Sequence, residues 1–248
     1  MSLSGSLQAA LSQGRALKVI SGLANFDADR VAAVVRAADR GGATFVDIAC
    51  DAALVRLARQ HTSLPICVSS VEPEAFLAAV EAGAALIEIG NYDSFYAQGR
   101  EFSAAEVLEL TQATRSLLPE ITLSVTVPHT LPLDQQAALA EQLVAAGADI
   151  IQTEGGTSSA PTHAGVLGLI EKAAPTLAAA SVISKAVNVP VLCASGLSDV
   201  TAPMAIAAGA AGIGVGSAIN RLDNELAMIA AVQRFVEALD RARVAQAH

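Results

Sequence analysis

Three observations in this sequence predict an α/β protein folded as one closed parallel barrel, a TIM (β/α)8 barrel with a short leading N-terminal helix. Short apolar runs alternate with helical stretches eight times. Such alternation points to a parallel sheet buried on both faces. The chain has 248 residues, close to the roughly 250 typical of one such barrel. Finally, Ala82-Gly83-Ala84, Ala146-Gly147-Ala148 and Ala208-Gly209-Ala210 each close a helix just before a strand, with Gly41-Gly42-Ala43 as a weaker fourth case. Glycine there takes the left-handed cap conformation, and the alanine lets the helix end pack on the sheet. Residues 1–248 read as a single domain.

The elements follow in order. Leu7 to Ser12 forms a leading helix, stopped at Gly14, that can plug the bottom of a barrel. Strand one covers 16–22. Asp27 caps the next helix, with Phe26 and Val31 placed as a hydrophobic staple. Strand two is Thr44 to Ala49, and strand three runs from Pro65 through Ser70. Pro73 opens the third helix as a first-turn proline. Strand four, Leu86 to Gly90, leads into a long loop holding both tyrosines, Tyr92 and Tyr96. Ser103 and Glu106 form a capping box. Strand five is Ile121 to Val127. Strand six is Asp149 to Thr153, with the loop Glu154 to Ser159 and two helical pieces split at Pro175. Strands seven and eight run into Ala194-Ser195-Gly196-Leu197 and Gly212 to Ala218. Asp223 begins the last helix, which reaches about Arg243.

Composition narrows the partners. Fifteen basic against 24 acidic residues give a formal charge of −9. That argues against nucleic acid or an anionic membrane as a main partner. No segment reads as the ~20 apolar residues of a membrane span, and the N-terminus lacks the pattern of a secretory signal. A cytoplasmic protein is expected. Cys50, Cys67 and Cys193 have neither disulfide nor zinc spacing. His61 and His163 lack ligand-like partners at useful spacing, and no metal motif is visible. No dinucleotide-binding fingerprint or nucleophile elbow is present.

Active sites of this fold lie at the C-terminal ends of the strands, and the loops after strands seven and eight often grip a phosphate. Ser195, Gly196, Leu197, Gly214, Gly216 and Ser217 are the candidate phosphate contacts, because a bare backbone approaches an anion closely. The glycines serve equally as tight turns. Period-two alternation turns Lys18, Asp47 and Glu88 toward one interior. Buried charges need partners, so these three form either an acid–base or Schiff-base centre or a structural ion network. Glu154 tops strand six and His129 follows strand five; both are acid–base candidates. Thr126, Asn91 and Gln152 are placed to orient a substrate carbonyl or hydroxyl. Tyr92 and Tyr96 either close over a ligand or pack on the rim.

Lys18-Val19-Ile20-Ser21-Gly22-Leu23 with Asn25-Phe26-Asp27, Ile87-Glu88-Ile89-Gly90-Asn91-Tyr92-Asp93, Ser124 to His129, Gln152 to Gly156, and Gly214 to Asn220 together carry a resemblance. Over nearly its whole length the chain resembles the hypothetical chloroplast reading-frame family, number twenty-three of its series, of cyanobacteria and algal plastids. The resemblance implies a TIM barrel of undefined function, with a plastid-stroma location in algal relatives and no catalytic residues to transfer. The last two strands are also similar to phosphate-binding barrels such as thiazole synthase, N-acylmannosamine-6-phosphate epimerase and the indole-glycerol-phosphate synthase group. That likeness implies the phosphate grip only.

Three functions fit these features. The first is an enzyme acting on a small phosphorylated metabolite by lyase, cyclase or sugar-phosphate epimerase chemistry. The second is an oxidoreductase holding flavin mononucleotide by its phosphate. The third is a non-catalytic metabolite sensor. The apolar helices, notably Leu226 to Val236, also offer a homo-oligomer face.

Overall fold

The computed structural model describes residues 5–155 and 159–246. Strands β1 (Ala16–Ile20), β2 (Phe45–Ala49), β3 (Ile66–Ser70), β4 (Leu86–Ile89), β5 (Thr122–Thr126), β6 (Ile150–Gln152), β7 (Val191–Ala194) and β8 (Gly212–Val215) close into a barrel in sequence order. All eight pairings are parallel, including β1 on β8. Helix α1 (Gly5–Ser12) leads the chain. The outer layer holds α2 (Ala28–Gly41), α3 (Ala52–Arg59), α4 (Ala75–Glu81), α6 (Ala104–Leu117) and α7 (Leu133–Ala145), then α8 (Gly165–Ala186), α9 (Ala202–Ala207) and α11 (Glu225–Gln246). Single-turn helices α5 (Asp93–Tyr96) and α10 (Ser217–Asn220) follow β4 and β8. The predicted fold class is the observed one.

The recurring glycine signal has its expected cause. Gly42, Gly83, Gly147 and Gly209 adopt φ of 87°, 109°, 102° and 101°, where a side chain is disfavoured. Each turns a finished helix back toward the next strand.

The barrel interior is stacked in three levels. At the bottom, Leu7, Ala10 and Leu11 of α1 pack on Ala16, Phe45, Cys67, Leu86, Ile150 and Leu192. The leading helix is thus the plug its sequence suggests. Above lies a polar level built from Lys18, Asp47, Ser69, Glu88, Ser124 and Gln152, all buried. Above that, a cavity opens at the C-terminal ends of the strands. The inward set follows from period-two alternation, and it carries the polar groups to one end of the barrel.

Several local expectations are corrected. Helix α8 runs unbroken through Pro175 instead of splitting there. Proline costs the helix a hydrogen bond, but here Pro175 packs on Gly155, where an added Cβ would lie 3.0 Å away. The next residue, Thr176, donates to the Ala194 carbonyl at 2.5 Å, which fixes the helix to the sheet. Phe26 is 62% exposed, so Val31 is buried without the staple. The last helix starts at Glu225, because Asn224 accepts the Ala227 N–H at 2.8 Å and caps it in place of Asp223. Helix α4 starts at Ala75, after Pro73. At α6, Ser103 accepts the Glu106 N–H, but the Glu106 carboxylate turns to Arg100, leaving half a capping box. His163 does have a partner, Glu171, whose Oε1 lies 2.5 Å from Nδ1.

Helix α8 is also long and apolar enough to cross a membrane, with a mean hydropathy of 1.5 in its most apolar stretch. The expectation that no segment reaches that length is corrected by its leucines, isoleucines, valines and alanines, which hold the average up around Glu171 and Lys172. In the fold this helix is part of the barrel's outer layer and packs on α7 and β7.

Candidate functional site

The polar level forms the floor of the site. The Lys18 ammonium meets Glu88 Oε2 at 2.6 Å, Gln152 Oε1 at 3.0 Å and Asp47 Oδ2 at 3.1 Å. Its three N–H donors are therefore all engaged. Ser124 donates to Glu88 Oε2 at 2.6 Å, and Gln152 Nε2 donates to Glu88 Oε1 at 2.8 Å and to Thr126 Oγ1 at 3.1 Å. Ser69 donates to Asp47. Burial pulls the Lys18 ammonium down, but Asp47 and Glu88 outweigh it and hold it above its ordinary range. Burial pushes the Glu88 carboxyl up, against the pull of Lys18 and Ser124.

Asn91 closes this floor from above. It is one of two non-glycine residues with positive φ among the described residues, at 63°. Asparagine tolerates that region better than most residues. The bend sends its amide back into the barrel, where Nδ2 reaches Ser69 Oγ at 2.8 Å, Asp47 Oδ2 at 3.1 Å and Glu88 Oε1 at 3.3 Å. Gly90 makes the bend possible by its size. A Cβ there would lie 2.1 Å from Thr126 Oγ1.

A second charged group stands higher, on one wall. Glu154 Oε1 accepts the Tyr96 hydroxyl at 2.5 Å and the His129 backbone N–H at 3.1 Å, and lies 3.0 Å from His129 Nδ1. The hydrogen bond to Glu154 holds the His129 imidazole above its ordinary value. Asp93 joins them, so that ligand-type atoms of Asp93, His129 and Glu154 all lie within 4.8 Å of one another. Tyr92 is buried beneath, stacked on Phe102 with ring centroids 4.4 Å apart. Tyr92 thus packs the rim, while Tyr96 anchors Glu154.

The cavity above the floor measures about 620 Å³, within the usual range of small-ligand sites. Its lining includes Ile20, Asn91, Thr126, Gln152 and Ala194 toward the barrel and Asp93 and Glu154 on the wall just described. The lining continues beyond β7 and β8 with Ser195, Gly196, Leu197, Gly214, Gly216 and Ser217. Ser195 is the other non-glycine residue with positive φ, at 73°, followed by Gly196 at 76°. Two successive left-handed residues turn the chain sharply at the cavity lip, and sparsely populated backbone of this kind gathers at functional sites. Lys172 of α8 and Arg221 after α10 also line the cavity. Neither forms an ion pair among the described residues. Asn220 ties α10 to the end of β1, its Nδ2 donating to the Ile20 carbonyl at 2.8 Å.

Comparison with known proteins bears on this geometry. The family described as "Protein of unknown function (DUF561)" matches residues 3–245. The chain belongs to this family. A protein of Cyanophora paradoxa titled "Uncharacterized protein ycf23" is 44% identical over 220 residues, covering 88% of this chain and 90% of the relative. Its namesake in Pyropia yezoensis is 39% identical over 240 residues, covering 97% and 88%. Among solved structures, thiamine phosphate pyrophosphorylase of Pyrococcus furiosus superposes with a TM-score of 0.60 at 19% identity, covering 94% of this chain and 98% of that one. The (S)-3-O-geranylgeranylglyceryl phosphate synthase of Thermoplasma acidophilum, solved with its substrate sn-glycerol-1-phosphate, does so at 0.59 and 17%, covering 97% and 100%. At such identities the likeness shows the barrel alone.

Of the residues singled out in the sequence of this family member, the fold therefore makes two groups. Lys18, Asp47 and Glu88 do converge, but beneath the cavity and off its wall. Glu154, Asn91, Thr126, Gln152 and the β7–β8 residues line it. His129 stands behind Glu154. Sequence reasoning missed Asp93, Lys172 and Arg221. Asp93 sits in the motif around Asn91, a signal that was available. Lys172 and Arg221 lie just beyond the loops considered, in a helix and after one. Of the loop after β6, residues 156–158 lie outside the described part of the chain.

Proposed function

We propose that this barrel is an enzyme that binds a small phosphorylated metabolite in the cavity, with its phosphate against the β7–β8 lip. The observation that carries the reading is one lip combining four features. They are the left-handed Ser195-Gly196 turn, the bare backbone at Gly216, the exposed Ser217 hydroxyl and the Lys172 and Arg221 cations. In a chain of net charge −9, two cations at one cavity that form no ion pair among the described residues favour an anion there. Backbone N–H groups and a helix start add fixed dipoles of the same sign. Structural neighbours named for phosphorylated compounds agree with this reading. So does the neighbour holding sn-glycerol-1-phosphate.

The reacting part of the ligand then faces the adjoining wall, at Glu154 and Asp93. Lyase, cyclase or epimerase chemistry needs a charged group there, and Glu154 supplies it. Lys18 is assigned a structural role with Asp47 and Glu88, since a protonated, fully hydrogen-bonded amine is neither a base nor a nucleophile. Asn91, Gln152 and Thr126 set the level of the floor, their polar groups largely spent on one another.

Native mass spectrometry with a panel of phosphometabolites and flavin mononucleotide tests the reading. Wild type is expected to retain a phosphorylated compound that Gly216→Trp loses, because a Cβ at Gly216 has no neighbour nearer than 3.5 Å and the indole would fill the lip. Retention of flavin mononucleotide would assign the same lip to a flavin. Wild type that retains neither a phosphorylated compound nor inorganic phosphate would sink the assignment.

A further inference from the structure

We propose that Asp93, His129 and Glu154 form a site for one divalent cation on the stretch of cavity wall that adjoins the phosphate lip. The three residues come from the ends of β4, β5 and β6, three neighbouring strands. Their ligand-type atoms all lie within 4.8 Å of one another. Octahedral ligands about 2.1 Å from a small divalent ion stand about 3.0 Å apart when adjacent and about 4.2 Å when opposite. The 3.0 Å between Glu154 Oε1 and His129 Nδ1 matches an adjacent pair. Two carboxylates with one imidazole suit an octahedral ion such as Mn²⁺ better than a thiolate-seeking one.

The surroundings also match a metal site. The Glu154 side chain is 5% exposed and the His129 side chain 11%, so both are held in place, whereas Asp93 is exposed. Tyr96 and the His129 backbone N–H both donate to Glu154 Oε1. Bonds of this outer kind orient a metal-ligating carboxylate. Asp93 and Glu154 line the cavity, so the remaining coordination positions face the ligand space. Binding requires a neutral imidazole with Nδ1 unprotonated, so a proton on Nδ1 passes to Nε2, or to solvent if the ring starts doubly protonated, as the cation enters.

The cation's role rests on the function proposed above: it would take a carbonyl or hydroxyl oxygen of the ligand whose phosphate lies at the adjoining lip. The site itself does not depend on that reading, and the test separates the two. Mn²⁺ alone, without any phosphate, is titrated into the full chain, and free Mn²⁺ is read by electron paramagnetic resonance. Wild type is expected to take up one Mn²⁺ per chain. Asp93→Asn and Glu154→Gln should each weaken uptake at least tenfold, and Tyr96→Phe about tenfold. Asp93 is exposed, so that variant keeps its fold and decides the matter even if Glu154→Gln does not. No stoichiometric uptake by wild type, or equal uptake by wild type and Asp93→Asn, would overturn the site. Uptake of Mn²⁺ together with failure of the phosphometabolite panel would remove the phosphate reading and leave the metal site standing.

Discussion

The barrel holds two clusters of three ionisable groups, one on β1, β2 and β4 and one just beyond β4, β5 and β6, and they differ in almost every other respect. In the lower one, Lys18, Asp47 and Glu88 are wholly buried, and each of the four carboxylate oxygens accepts at least one hydrogen bond. In the upper one, Asp93 is exposed, His129 is partly screened and Glu154 is buried, and two of the three line a cavity. Buried charge alone does not mark a reactive centre. A cluster whose every donor and acceptor is spent has nothing left to offer a ligand, and its desolvation cost is met by internal bonds. A cluster that keeps one face open can act on what enters.

The sharpest way to break this contrast is to remove the lower cation. Lys18→Met leaves two carboxylates facing each other in a dry interior, and losing one partner of a buried pair costs about 3–5 kcal/mol. Urea unfolding should show that loss. Asp93→Asn, its counterpart in the upper cluster, should stay within about 0.5 kcal/mol of wild type, as surface substitutions usually do. If the two variants were equally stable, the lower network would not be structural and Lys18 would return as a catalytic candidate. A smaller effect is expected at the joint between the clusters. Gly90→Ala puts a methyl group 2.1 Å from Thr126 Oγ1, and overpacking of this kind costs about 1–3 kcal/mol. It should also shift Asn91, so weakened Mn²⁺ uptake alongside a lower melting temperature would tie the floor to the wall above it.

Much of the lower cluster was legible in the sequence, and little of the upper one. Apolar runs with a single charge at Lys18, Asp47 and Glu88 fix by alternation that all three point inward, and the closed barrel then makes them meet. Their depth was not legible. It depends on the stagger between strands, which sets Lys18 level with Gly214 of β8 and places Asn91 above it. The lip at Ser195-Gly196 and Gly216-Ser217 was readable from its small residues. The cations there were not: Lys172 lies within α8 and Arg221 just after α10, and only the packing of those helices on the barrel brings them to the cavity. Asp93, His129 and Glu154 belong to three separate loops, so no spacing joins them before the barrel closes.

The finest distinction between the clusters is in alkaline solution. Lys18 is held above its ordinary value of 10.5, so in the folded protein it keeps its proton at a pH where the unfolded chain has begun to lose it. The native state then binds more protons than the unfolded state, and stability falls as pH rises. The contribution is complete below 10.5 and is lost progressively above it. Melting temperatures of wild type and Lys18→Met, compared from about pH 9 to about pH 11, should keep a constant gap at first and then converge. All other titratable groups are common to both proteins and cancel in the difference. A gap that stays constant over the whole range would mean that Lys18 titrates as an ordinary lysine, and that the carboxylates beneath the cavity do not hold its charge.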